Sequence, residues 1–133
     1  MTNDWRPPHA YVPGQTPRHD EHLFDAIKSG VEDCAVENLH HSQAWSYGIA
    51  FLEDGFYWEA HEVLEAVWMA CPPNAPERLM VQAVIQLANA KLKEAMGRDQ
   101  AASRLFKTAS RLSAEAVQRK GGNVMGLDSE IMN

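Results

Sequence analysis

Proline is confined to two places in this chain, and that placement limits the fold more than any other feature. Pro7, Pro8, Pro13 and Pro17 crowd the first 17 residues, while Pro72, Pro73 and Pro76 stand together past the middle. Proline has no amide donor and a fixed φ, so the first stretch is excluded from regular helix and from interior strand. Trp5, Tyr11 and Gly14 lie among these prolines. Residues 1–20 are therefore expected to form an extended arm, docked by its aromatic residues on the body or on a neighbouring subunit. Residues 21–120 are expected to form a helical bundle domain, and residues 121–133 a short tail.

Helical signals dominate from Asp20 onward. Sustained apolar/polar alternation and hairpin signals such as Asn-Gly are missing, which argues against strands. The pattern predicts one helix over 22–40, interrupted at Gly30, and a second over 43–54 closed by Gly55. A third spans 56–70 and ends at Cys71-Pro72-Pro73. Asn74, Pro76 and Glu77 supply start signals for a fourth that runs to Met96. Gly97 stops it, Asp99 is placed to cap a fifth, and that helix runs to Arg119 before Gly121-Gly122. The expected fold is all-α, a single-domain bundle of about five helices built from helical hairpins.

Two turns echo each other at an offset of 42 residues, with Gly55 before Ala60 matching Gly97 before Ala102. In each, glycine reverses the chain and alanine lets two helices approach closely. The apolar residues of the fourth helix (Val81, Val84, Ile85, Leu87, Ala88, Leu92) cover most of its circumference, so it is expected at the centre.

Composition narrows the function. Twelve basic and 18 acidic side chains give a formal net charge of −6. Phosphate backbones and anionic membranes recruit Lys and Arg, so neither nucleic acid nor a membrane is an expected partner. The longest apolar run, Ala66–Cys71, is six residues, far short of the ~20 that span a bilayer. The opening residues do not read as a signal peptide. Cys34 and Cys71 form no CxxC pair, which fits a reducing cytoplasm.

The third helix carries the residues that core packing does not explain. Phe56, Ala60, Val63, Leu64 and Val67 make its core side, and Glu59, Glu62 and Ala66 are read as lying opposite. Trp58, His61, Glu65 and Trp68 share one flank at spacings of three, four and three. The matching flank of the fifth helix holds Gln100, Ser103, Lys107 and Ser110, so a hairpin of this kind needs neither indoles nor a His/Glu pair. The fourth helix offers a narrow polar stripe of Gln82, Gln86, Asn89 and Lys93. Buried amides need partners, and the Gln82/Gln86/Asn89 stripe is expected to face His61 and Glu65.

His61-Glu62-x-x-Glu65 is similar to the H-E-x-x-H zinc pattern with glutamate for the second histidine. In that reading His61 and Glu65 bind a divalent metal (zinc, iron or manganese) and Glu62 is the general base that activates water. A third ligand is sought among His40, His41, Asp54, Asp128, His19 and His22. The plain alternative is a His61–Glu65 hydrogen bond sealed by tryptophans and amides. A metal-free pocket for a small molecule, lined by Tyr57, Trp58, Trp68, Gln82, Gln86 and Asn89, is a further one. Arg104, Lys107 and Arg111 read as a solvated basic face.

On these residues the chain resembles the domain of unknown function 309 family. The resemblance rests on Gly55-Phe56-Tyr57-Trp58-Glu59-Ala60-His61-Glu62-Val63-Leu64-Glu65 with Trp68, on Gln82 with Ile85-Gln86-Leu87-Ala88, and on Gly97 and Met125-Gly126-Leu127-Asp128. It implies a small all-helical protein of the kind labelled predicted metal-dependent hydrolases. One departure stands out. Leu92 occupies a position where the family often has histidine; if that histidine is a ligand, this chain has lost it, or Lys93 or the arm substitutes. The competing reading is a non-catalytic helical module. Gly55-x-Tyr57-x-x-Ala60 locally resembles a tetratricopeptide hairpin, without the 34-residue period. Such a module would form a homo-oligomer, a dimer, through an aromatic Trp58/Trp68 patch.

Overall fold

The computed structural model describes residues 4–32 and 34–132; residues 1–3 of the arm, Asp33 and the last residue of the tail lie outside it. Its α-helices are α1 (Asp25–Lys28), α2 (Gln43–Glu53), α3 (Tyr57–Ala70), α4 (Pro76–Ala95) and α5 (Asp99–Lys120). Short 3-10 turns cover Ser29–Val31, Val36–His41 and Ser129–Met132. The fold is all-α. Among the described residues the only strand-like pairing is an isolated bridge between Val124 and Leu127.

Helices α2 to α5 match the sequence expectation closely, and the echo between the two hairpins is physical. Gly55 and Gly97 have φ of +88° and +78°. Each is followed by the same backbone closure, Phe56 N–H to the Phe51 carbonyl and Arg98 N–H to the Lys93 carbonyl, both 2.8 Å. Ala60 and Ala102 are buried at the two crossings. The caps differ from expectation. Asn74 and Asp99 cap nothing: Ala75 and Arg98 are the N-cap residues of α4 and α5, without side-chain cap bonds. Pro76 still opens α4, where its missing N–H is an orphan anyway. Ser42 caps α2 through the Trp45 N–H.

The helix expected over 22–40 does not form. It breaks into α1 and two 3-10 turns, with extended backbone at Glu32 and Ala35. Ser29, Gly30, Val31, Cys34, Val36, Asn38, His40 and His41 all have modest or poor helix propensity. A Cβ on Gly30 would lie 3.3 Å from Gln43 Cβ, so the chain here presses close to α2.

α4 is the central helix, packed along both α3 and α5. It buries Met80, Val81, Ala83, Val84, Ile85, Leu87, Ala88, Ala90 and Leu92. α2 approaches α3 closely at Gly48, where an added Cβ would fall 2.4 Å from Leu64 Cδ2 and 2.6 Å from its Cγ. Leu64 is fully buried. Gly48→Ala is therefore expected to destabilise the fold by about 1–3 kcal/mol through overpacking. Urea denaturation tests this together with Gly48→Ala/Leu64→Ala, which must be less destabilised than the sum of its single changes.

The arm docks on its own body. Trp5 meets Phe24, Tyr47 and Phe51 edge-on, and Arg6 pairs with Asp54 at 2.8 Å. Tyr11 packs edge-on against Trp58. One flank of α3 is thereby covered. Arg104, Lys107 and Arg111 are exposed, the solvated face expected of them.

Candidate functional site

The candidate site is built on the flank of α3 and read most easily from His61. Its Nδ1 lies 3.2 Å from the Trp58 carbonyl. A carbonyl only accepts, so Nδ1 carries the donated hydrogen and Nε2 faces outward. That Nε2 lies 2.8 Å from Glu65 Oε1. In the neutral ring this sets one acceptor against another. The pair therefore has room for a shared cation. His61 is 22% exposed and Glu65 54%, so the pair sits in a partly covered edge that opens to solvent.

Glu62 completes a triplet. One ligand atom from each of His61, Glu62 and Glu65 lies within 4.8 Å of the others. Glu62 also binds Lys28 Nζ at 2.6 Å, so the residue expected as general base is held as an ion-pair partner and a candidate ligand. The sought third ligands are engaged elsewhere. His19 binds Glu59, His22 binds Asp25, Asp54 binds Arg6, and Asp128 accepts the Glu130 N–H. His40 and His41 stack on each other with ring centroids 3.8 Å apart. Among the described residues none of them joins the triplet. Leu92 is buried in the bundle.

Glu59 corrects the helical reading. It was expected on the solvent side of α3, yet it is completely buried. Its Oε2 accepts hydrogen bonds from the Tyr11 amide and from His19 Nε2, both at 2.6 Å. Its Oε1 is buried with no partner, a deficit typically worth ~1–3 kcal/mol. The His19 side chain is 2% exposed, and the His9 ring stacks on it at 4.6 Å. A signal was available. At ~100° per residue Glu59 lies only about 40° from Val63, on the border of the apolar face. The arm, 40 residues away in sequence, does the covering.

A cavity of about 330 Å³ adjoins this pair, lined by Arg18, His19, Asp20, Glu21, Phe24, Trp58 and Glu62. Glu62 thus belongs both to the triplet and to the cavity wall. On the other side, Lys91 stands over the Tyr57 ring and Arg78 over the Trp68 ring. The amide stripe meets the α3 flank at Trp68. Gln82 lines a cavity with Trp68, whereas Gln86 and Asn89 are half-buried on α4. Among the described residues no hydrogen bond links Gln82, Gln86 or Asn89 to His61 or Glu65. Trp58 and Trp68 are each half-buried within the chain, the first under Tyr11 and His19, the second under Arg78. Each keeps part of its surface exposed.

Cys71, just beyond α3, is buried and its thiol is pushed up to about 11, chiefly by burial, with Glu77 adding and Arg78 opposing. Burial pulls the Glu77 carboxyl up, but the Lys120 hydrogen bond, a backbone hydrogen bond and the Lys120 charge together outweigh it and leave the group below its ordinary value. The folded state holds the Cys71 proton more tightly than the unfolded chain does. This group's contribution to stability is full below its ordinary value of 9.0 and is lost as pH rises to about 11. At pH 8, iodoacetamide is expected to leave Cys71 unmodified in the folded protein and to label it in urea; peptide mapping showing rapid native labelling would contradict this.

The fold and the α3 triplet define a small all-α bundle with a histidine–carboxylate edge. Residues 45–105, from α2 into α5, match the model of the family described as "Domain of unknown function (DUF309)", and over that segment the chain is similar to the DUF309 family. The segment contains α3, α4 and the whole triplet; the Met125–Asp128 resemblance lies beyond it. No curated protein and no solved structure matches the chain.

Proposed function

We propose that the α3 edge binds one divalent transition-metal ion through His61, Glu62 and Glu65, and that the protein is a metal-dependent hydrolase of small substrates. The observation that carries this is the convergence of three ligand atoms within 4.8 Å, with His61 already oriented by its Nδ1 bond to the Trp58 carbonyl. Ligating histidines are commonly held in this way through the other nitrogen. One imidazole and two carboxylates suit zinc, iron or manganese. When bound, such an ion lowers the pKa of water and polarises an acyl or phosphoryl oxygen.

The chain's own residues supply the rest. Substrate would occupy the cavity between the arm and α3, where Glu62 is common to wall and triplet. Phe24 and Trp58 displace water from it. Lys28 holds Glu62 in place. We assign the base to His19 in preference to Glu62. Its Nε2–H is fixed on Glu59, which leaves Nδ1 to accept a proton. Both indoles are half-buried within the chain, and this reading does not depend on a dimer contact through them. The proposed location is the cytoplasm, where the free thiols of Cys34 and Cys71 stay reduced.

Elemental analysis of protein prepared without a polyhistidine tag tests the reading. Stoichiometric zinc, iron or manganese is expected, abolished in His61→Ala and sharply reduced in Glu65→Ala. Metal-loaded protein is expected to cleave at least one of a panel of small chromogenic esters and phosphates, and His19→Ala to lose that activity while keeping its metal. Metal-free protein that takes up none of the three ions on titration would retire the proposal.

A further inference from the structure

Beyond Glu65, the flank of α3 ends at Trp68, and a separate cavity of about 300 Å³ opens there, lined by Trp68, Pro73, Arg78, Leu79 and Gln82. Two of the residues that line it, Arg78 and Trp68, carry N–H donors that lack acceptors. The Arg78 guanidinium lies flat over the indole, its carbon 3.8 Å from the ring centroid. Among the described residues it forms no salt bridge. The adjacent carboxylate, Glu77, is taken by Lys120 at 2.8 Å. Arg78 Nε and Trp68 Nε1 are both buried without a hydrogen-bond partner. Two orphaned N–H donors at one cavity are unusual, since buried polar groups nearly always find partners.

The chemistry selects an acceptor. A guanidinium keeps its proton in proteins, so its charge persists, and its planar fork fits carboxylate and phosphate oxygens. Gln82, one turn beyond Arg78 on α4, brings an amide to the same wall. Pro73, Leu79 and the indole give the cavity an apolar side, and its volume far exceeds the ~30 Å³ share of one water molecule. We infer that this cavity binds the oxyanion end of a small organic acid, a carboxylate or a phosphate monoester. Arg78, Trp68 Nε1–H and Gln82 donate to the oxyanion, and Pro73 and Leu79 pack against the organic part. This second site stands whether or not the α3 edge holds a metal.

Both orphaned groups give their own signals in proton–nitrogen correlation spectra, so the test reads them directly. The full chain, stripped of metal on a chelating resin, is titrated with butyrate and, separately, with propyl phosphate; chloride and butylamine serve as controls. Saturable movement of the Trp68 Nε1–H and Arg78 Nε–H peaks with either acid is the expected result, and the acid that saturates at lower concentration identifies the head group. Arg78→Lys should weaken binding about tenfold or more. Gln82→Leu, which leaves the Arg78–Trp68 stack intact, should weaken it measurably. His61→Ala should bind the acids as the unaltered chain does, which separates this site from the metal proposal. Peaks that stay still, or that drift with the acids only as they do with chloride, would overturn the inference. So would acid binding that is unchanged in both Arg78→Lys and Gln82→Leu.

Discussion

His19→Ala is expected to destabilise the folded chain by about 3–5 kcal/mol, the usual consequence of removing one partner from a buried hydrogen-bonded pair. Glu59 is completely buried and its Oε1 already lacks a partner. Without His19, the Tyr11 amide is the one donor left to it among the described residues. Glu59→Gln preserves an acceptor and should cost less, about 1–3 kcal/mol. The apolar double replacement His19→Leu/Glu59→Leu removes both groups at once and should be more stable than either single leucine variant. Urea denaturation of the set decides the matter. Singles that cost under about 1 kcal/mol would place the pair at a solvated surface.

Phe51→Ala is the second large effect, again about 3–5 kcal/mol. The ring is fully buried and meets those of Trp5, Phe24, Tyr47 and Phe56 at centroid distances of 5.5 to 6.2 Å. The Arg6 guanidinium stands 5.8 Å from its centroid. Phe51 therefore holds the arm through Trp5 and Arg6 and the segment before α2 through Phe24. Because Phe24 also packs on His19 and Trp58, the loss is expected to couple with His19→Ala in a double-mutant cycle. Strict additivity would show that arm and bundle are energetically separate.

The parts of this fold that local chemistry dictates were legible in the sequence. Gly55 and Gly97 reverse the chain, Pro76 opens α4, and the apolar sweep from Met80 to Leu92 identifies the buried centre. Those features act within one or two turns and leave a periodic trace. The segment 22–40 has no such trace: poor helix formers such as Gly30 and Val31 break it into α1 and two 3-10 turns. The site was legible only along α3. His61, Glu62 and Glu65 converge because i, i+1 and i+4 positions bring them together on one helix. Glu59 and His19 were missed because their environment is made by a non-repeating arm that no periodicity encodes. Lys28 and Arg78 were missed for a related reason. A cation's partner depends on how separate elements dock, and neither Lys28–Glu62 nor Arg78–Trp68 has a spacing that announces it.

Anomalous diffraction at the zinc edge, from crystals of tag-free protein grown with zinc, tests the metal proposal most directly. One ordered peak is expected within bonding distance, about 2 Å, of His61 Nε2 and of a Glu65 carboxylate oxygen. A map with no peak at the α3 edge, or with zinc only at sites such as His40 and His41, would contradict it.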